Sequence, residues 1–173
     1  MRVAADKAIP YLGAYLVTMR TGIFLFGGVE MDDAGSGPPA STDRRYDNDA
    51  VWQATERLVD AGLTAERLGY DSYWLTEHHF QHEGYEVVPN GLMLGAVIAE
   101  RTERIRLGMA FNIIPQWNPL RFAEDFATLH NFSGGRAILG VGRGTVPREA
   151  ETLGTKIGSF DNPSQVKADD LNR

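Results

Sequence analysis

Strand-like and helical segments alternate along this chain, and the alternation limits its possible folds more than any other feature. Apolar, β-branched segments lie at about 20–27, 72–76, 105–114 and 137–141, and helical segments at about 50–68, 92–101 and 120–132. This order predicts parallel strands joined by helical crossovers, which is an α/β fold.

Two α/β architectures fit this pattern, a (β/α)8 barrel and an open, doubly wound sheet. A complete barrel takes about 250 residues. This chain has 173 residues and supplies four strands. If the fold is a barrel, the sequence therefore predicts a partial (β/α)8 TIM barrel, roughly the first four βα units.

The composition excludes several classes of protein. Hydrophobic residues make up 43% of the chain and charged residues 23%, and no apolar run reaches the roughly 18 residues of a membrane-spanning helix. Cysteine is absent, so disulfides, thiolate metal sites and a cysteine nucleophile are excluded. The net charge of −6 argues against a general nucleic-acid binder.

The two ends of the chain differ from its middle. Residues 1–18 are moderately apolar but interrupted by Pro10, and no convincing cleavage site follows, so they make a poor signal peptide. We interpret residues 1–18 as an upstream extension, with Met19 as the natural start. Residues 19–158 then form the folded unit, and residues 159–173 form a polar tail. The expected compartment is the cytoplasm.

Three of the four histidines follow the second strand, in the segment 77–82 with the sequence Glu-His-His-Phe-Gln-His. Enzymes of the α/β class hold ligands and catalytic groups at the carboxyl ends of parallel strands. Side-chain alternation predicts that His78 and His79 point to opposite faces. A structural role for these histidines is equally compatible with the sequence. A metal site at His78 and His82 is disfavoured because the segment is not helical.

A glycine-rich turn follows the fourth strand, with the sequence Gly-Val-Gly-Arg-Gly-Thr at 140–145. Glycine lets the backbone approach an anionic ligand, and the Arg143 guanidinium carries a fork of donors suited to phosphate. The turn departs from the dinucleotide fingerprint G-x-G-x-x-G, because position 145 is threonine. Taken alone, the turn is also compatible with an ordinary connection from strand to helix.

Bulky residues crowd the segment after the third strand, at Pro115, Trp117 and Pro119. An indole there would either wall a flat heteroaromatic ring or cover the core, and the composition favours neither. Pro119 suits the first turn of a helix.

Several short motifs occur in a fixed order along most of the chain. They are Tyr-Trp-Leu-Thr-Glu-His-His-Phe at 73–80, Pro-Asn at 89–90, Ile-Arg-Leu-Gly at 105–108, Asn-Pro-Leu-Arg at 118–121, Gly-Gly-Arg at 134–136 and Gly-Arg-Gly at 142–144. Together they resemble the bacterial luciferase-like flavin monooxygenases, over about residues 19–155. The order of the motifs makes this resemblance specific, whereas no single motif does.

The resemblance implies a TIM barrel that binds reduced FMN at the carboxyl ends of its strands. The implied enzyme is a flavin-dependent monooxygenase that uses reduced FMN and O2 to oxygenate a small organic substrate such as an aldehyde. A separate NAD(P)H:flavin reductase would supply the reduced flavin, and a homo- or heterodimer is the implied assembly. We expect the chain to be a fragment or truncated product of a longer enzyme, because the fifth to eighth strands are missing.

The resemblance also implies roles for individual residues. His78 matches the active-site histidine that assists the flavin chemistry, and Arg143 matches the arginine that holds the FMN phosphate. The other implied cofactor-binding residues are Gly142 of the turn and the strand end against the isoalloxazine ring, Ala110 and Phe111. Supporting residues at the strand end are Glu77 and His79. No metal site is expected.

Two other functions remain open. The same barrel could carry a flavin- or deazaflavin-dependent dehydrogenase, which the spectrum of the bound cofactor and an oxygen-uptake assay would distinguish from an oxygenase. Alternatively, the chain is a truncated, non-catalytic subunit that only assembles with others. The presence of both His78 and Arg143 argues against that alternative, whereas the missing strands argue for it.

Overall fold

The structure, a computed structural model, describes residues 19–31 and 46–155. The predicted extension at 1–18 and polar tail at 159–173 lie outside the described residues. The strands are β1 (Gly22–Phe24), β2 (Ser72–Leu75), β3 (Arg106–Met109), β4 (Asn112–Ile113), β5 (Ala137–Ile138) and β6 (Val141–Gly142). The helices are α1 (Asn48–Arg67), α2 (Gly91–Glu100), α3 (Pro119–Phe132) and α4 (Pro147–Thr152).

The main sheet has four parallel strands in the order β1-β2-β3-β5. This order follows the chain without the reversal that defines a doubly wound sheet. It is the order of consecutive strands in a (β/α)8 barrel, with a helix after each of the first three strands. The fold is therefore a partial TIM barrel, as the sequence predicts.

Two of the predicted strands are interrupted, and the prediction of continuous strands there was wrong. The predicted strand at 105–114 divides into β3 and β4, and residues 114–116 form a 3-10 turn. The fourth strand divides into β5 and β6, and β4 pairs with β6 in a separate two-stranded sheet. At this break a Cβ on Gly140 would lie 1.7 Å from the Met109 carbonyl oxygen. Close approach between distant backbone segments is invisible to local periodicity.

Each of the three long helices begins after a residue whose side chain caps the first turn. Asp47 caps α1 by accepting a hydrogen bond from the Ala50 N–H at 2.8 Å, and Asn90 caps α2 in the same way. Asn118 caps α3, and Pro119 occupies its first position, as predicted. Among the described helices, none combines the length and apolar character needed to cross a bilayer.

The core lies between the outer face of the sheet and the helices. Its largest fully buried residues come from β2, β3, α2 and α3, and include Tyr73, Leu75, Leu107, Met109, Ile98 and Leu129. The hydroxyl of Tyr73 donates to the Leu58 carbonyl of α1 at 2.9 Å, which joins the sheet to its first crossover helix. Because the helices cover this face of the sheet, a ligand can reach side chains at the strand ends but not those in this core.

Candidate functional site

A cavity of about 350 Å³ lies at the carboxyl ends of the strands. Its lining includes all five residues assigned to the site from the sequence, which are His78, Ala110, Phe111, Gly142 and Arg143. These residues follow or end three different strands, and neighbouring parallel strands open their carboxyl ends on the same side. The volume falls within the range of ligand pockets, about 300–1,000 Å³.

One part of the cavity wall is apolar and another part is polar. The apolar part consists of Ala110, Phe111, Ile113 and Val141, and the polar part includes Arg143 and Thr145. A Cβ added at Gly142 would lie 3.0 Å from the Phe111 Cβ, so glycine keeps this wall open. An apolar wall beside polar residues is the usual composition of a pocket for a small organic ligand.

The His78 side chain is held at the edge of the cavity by polar and aromatic neighbours. Its Nδ1 lies 3.0 Å from Oε1 of Glu149 and 3.4 Å from the Tyr85 hydroxyl. The Tyr85 ring stands edge-on at 5.3 Å from the imidazole, and the Phe26 ring is stacked at 6.4 Å. Burial raises the pKa of Tyr85 to about 12, so its hydroxyl remains protonated at neutral pH.

Glu149 is a buried acid that the sequence did not indicate as a site residue. Its Oε1 accepts from the backbone N–H of His79 at 2.9 Å and from Nε2 of Gln81 at 2.7 Å, in addition to the contact with His78. Burial alone would raise the pKa of Glu149, but these hydrogen bonds outweigh it and lower the pKa. Glu149 lies on the short helix α4, where its spacing gives no signal of burial.

The supporting residues at the strand end form a second polar cluster. Glu77 is buried, with Oε1 at 3.3 Å from Nε2 of His79 and 2.9 Å from Nε1 of Trp117, which donates to it. The Trp117 ring packs against Phe122 with centroids 5.5 Å apart, at the margin of the core. The Trp117 indole thus covers the core and donates a hydrogen bond to Glu77 just after the end of β2. Trp117 is not one of the residues that line the cavity, whereas Glu77 is.

The alternative of a metal site at His78 and His82 can be compared with the described residues. Across residues 19–31 and 46–155, no three histidine, cysteine, aspartate or glutamate side chains cluster in a way that could hold a metal ion. The nearest acid to His78 is instead occupied by hydrogen bonds from the loop after β2.

Comparisons with known proteins agree with the fold and with the family that the motifs resemble. The family model for the luciferase-like monooxygenases matches residues 19–168. Limonene 1,2-monooxygenase from Rhodococcus erythropolis is 38% identical over 110 residues, which are 64% of this chain and 28% of that protein. The F420-dependent glucose-6-phosphate dehydrogenase from Amycolatopsis mediterranei (strain U-32) is 36% identical over 107 residues, which are 60% of this chain and 32% of that protein.

A solved structure extends the similarity to three dimensions. Monooxygenase RslO1 from Streptomyces bottropensis matches with a TM-score of 0.63 and 29% identity, over 80% of this chain and 37% of that one. The chain spans about three tenths of the length of the two curated relatives above. The family match covers most of the chain, and the chain therefore belongs to the luciferase-like monooxygenase family.

Proposed function

We propose that this chain contributes the first half of a barrel that uses reduced FMN and O2 to oxygenate a small organic substrate such as an aldehyde. The observation that carries the proposal is the meeting of His78 and Arg143 at one cavity, beside an apolar wall. The two residues are far apart in the sequence, and the strand ends bring them together. The similarity to limonene 1,2-monooxygenase supports oxygenation in particular.

In this proposal Arg143 and Thr145 hold the phosphate of FMN, and Ala110 and Phe111 lie against the isoalloxazine ring. Reduced FMN supplies the electrons that activate O2, and a separate NAD(P)H:flavin reductase supplies the reduced flavin. The apolar wall excludes water from the face of the ring. Pairing with a second subunit, in a homo- or heterodimer, is part of the same proposal.

His78 is the proposed catalytic residue. The imidazole at the edge of the cavity can take up a proton on one ring nitrogen and return it without a change of position. Its side chain is 23% exposed, so it is reachable from the cavity but flanked by Glu149 and Tyr85. Replacement of His78 by alanine should leave FMN affinity nearly unchanged and reduce oxygenation.

A second candidate function is a dehydrogenase that uses a deazaflavin. The similarity to an F420-dependent glucose-6-phosphate dehydrogenase favours it, because that protein matches nearly as well as the monooxygenase. F420 and FMN both present a flat ring and a phosphate, so the residues of the cavity suit either. The discriminating property is consumption of O2, which only the oxygenase requires.

Titration of the 173-residue chain with FMN, riboflavin and F420 tests these proposals. Arg143→Ala should weaken FMN binding about 10- to 150-fold, equivalent to a charge-assisted hydrogen bond of about 1.5–3 kcal/mol, and leave riboflavin binding unchanged. Arg121→Ala, at an arginine that is 68% exposed on α3, is the control. An equal loss of affinity for FMN and for riboflavin would show that Arg143 does not bind the phosphate.

An oxygen-uptake assay with an added flavin reductase and an aldehyde completes the test. Substrate-dependent O2 consumption supports the monooxygenase. Binding of F420 with no O2 consumption would favour the dehydrogenase. Binding of none of the three cofactors would contradict a cofactor site on this chain and favour the non-catalytic subunit.

A further inference from the structure

We propose that Glu149 is the positioning residue for His78, fixing the imidazole as the tautomer that is protonated at Nδ1 and leaving Nε2 to meet the molecule bound in the cavity. The inference rests on the proposed function, because it concerns the same site. It adds to that function a residue from α4 that neither the motifs nor the resemblance singled out.

The direction of the hydrogen bond follows from the chemistry of the carboxylate. An ionised carboxylate only accepts, so the Nδ1 atom at 3.0 Å from Oε1 must carry the proton. The hydrogen bonds that lower the pKa of Glu149 keep it ionised at neutral pH. A neutral imidazole protonated at Nδ1 has its lone pair on Nε2, the nitrogen that can accept a proton.

Glu149 is held too firmly to turn away from His78. Its side chain is only 1% exposed, and donors from His79 and Gln81 converge on the same oxygen. The preceding residue, Arg148, donates to the Phe80 carbonyl at 2.7 Å and anchors α4 to the loop after β2. The acid therefore acts as a fixed acceptor, and the imidazole orients to it.

The arrangement lets His78 take up and return a proton without moving. When Nε2 accepts a proton from an acidic O–H group in the cavity, the ring becomes positively charged, and the ionised Glu149 beside Nδ1 stabilises that charge. When Nε2 returns the proton, the ring is again neutral with its remaining proton on Nδ1. No electrons are transferred and no bond to carbon changes in these two steps.

The tautomer of His78 can be measured directly by NMR on the chain labelled with ¹⁵N in its histidine rings. His78→Gln assigns the resonances. We expect neutral His78 in the wild type to be protonated at Nδ1. In Glu149→Gln this preference should be lost, and the Nε2-protonated form should become substantial. Glu149→Asp should retain part of the preference, and Glu151→Gln, an exposed neighbour on the same helix, should leave it unchanged.

Two results would overturn the proposal. One is a wild-type His78 protonated at Nε2, which needs no variant and is decisive even if Glu149→Gln fails to fold. The other is a folded Glu149→Gln in which the Nδ1-protonated tautomer persists. Neither measurement requires flavin, so failure of the proposed function, seen as absence of flavin binding, is distinguishable from failure of this inference.

Turnover measurements give a second readout where the flavin assay shows oxygenation. Glu149→Gln should lower kcat about 10-fold or more with little change in the Kd for FMN, in the range by which a positioned acid–base group accelerates a reaction. In the double variant that combines His78→Ala with Glu149→Gln, kcat should be no lower than in His78→Ala alone. If Glu149→Gln lowers kcat by the same factor with and without His78, Glu149 acts independently of His78.

Discussion

Arg148 and Glu83 form a two-point ion pair across 65 residues of sequence. The guanidinium nitrogens lie 2.6 and 2.9 Å from the two carboxylate oxygens, and the Glu83 side chain is 11% exposed. The hydrogen bond from Arg148 is the main reason that the pKa of Glu83 is lowered. This pair fixes α4 to the loop after β2, and so sets the position of the acid beside His78.

Arg148→Ala should lower the free energy of unfolding by about 2–3 kcal/mol, because it leaves a nearly buried carboxylate without its counter-charge. Urea unfolding followed by circular dichroism measures the change. Arg121→Ala is the matched control, because Arg121 pairs with Glu124 at 2.7 Å on an exposed surface. That control should change stability by less than about 0.5 kcal/mol. Equal effects of the two variants would show that burial of Glu83 is unimportant.

Arg136 is the residue of the Gly-Gly-Arg motif, and its role is structural. Its guanidinium donates to the carbonyls of Ala99 and Thr102, at 2.7 and 2.9 Å, where α2 ends. It also donates to the carbonyls of Ser133 and Ile105, at 2.7 and 3.0 Å. One side chain thus satisfies terminal carbonyl groups of two helices and the start of β3.

Arg136→Ala should destabilise the protein by about 3 kcal/mol, because several buried carbonyl groups lose a charged donor together. Arg136→Lys should recover less than half of this loss, since a single ammonium cannot reproduce the fork of the guanidinium. The measurement is again urea unfolding. The neighbouring Arg101, which is 55% exposed, provides the control, and Arg101→Ala should be nearly neutral. Full recovery by lysine would show that charge alone is sufficient.

The parts of the fold that the sequence predicts are those that depend on local pattern. Apolar periodicity indicated the strands and helices, and the parallel topology that follows from it put the segments after the second and fourth predicted strands at carboxyl ends, where α/β enzymes hold ligands. In the structure, His78 and Arg143 from these two segments line the same cavity. The prediction needs only the approximate carboxyl end of each strand.

The parts that the sequence could not predict depend on contacts between distant residues. Glu149 lies in a short polar segment that has the pattern of an exposed surface, and only its contact with His78, 71 residues away, shows that it is buried. The break between β3 and β4 coincides with another contact between distant residues, where the Gly140 backbone lies against the Met109 carbonyl. The spacing of charged residues along the sequence carries no information on tertiary contacts, so it does not distinguish a buried acid from an exposed one.

Glu66 gives the stability a definite dependence on pH. Its carboxylate accepts from the backbone N–H groups of Glu103, Arg104 and Ile105 at 2.7–3.1 Å, which ties α1 to the start of β3. Burial would raise the pKa of Glu66, but these hydrogen bonds outweigh it and lower the pKa. A carboxyl with a lowered pKa stabilises the fold above its unfolded pKa, and this contribution is lost as the pH falls through the folded value.

Glu66→Gln should therefore reduce stability at neutral pH and make the remaining stability fall less steeply between about pH 5 and pH 3. Urea unfolding at a series of pH values measures both effects. Glu100→Gln, at a carboxylate that is 78% exposed on α2, should leave the pH profile of the wild type unchanged. A profile of Glu66→Gln that runs parallel to the wild type would remove Glu66 as a source of the pH dependence.

Gly108 and Trp74 are partners in the register of β2 and β3. A Cβ at Gly108 would lie 2.2 Å from the indole ring, and Nε1 of Trp74 is anchored by a hydrogen bond to the Ser72 hydroxyl at 2.9 Å. Gly108→Ala must therefore displace the indole and should cost about 1–3 kcal/mol, as overpacking does. The cost should fall sharply when Trp74→Leu removes the ring, giving a coupling of about 1 kcal/mol or more in a double-mutant cycle. Additive effects would mean that the alanine is accommodated by the backbone and not by the indole.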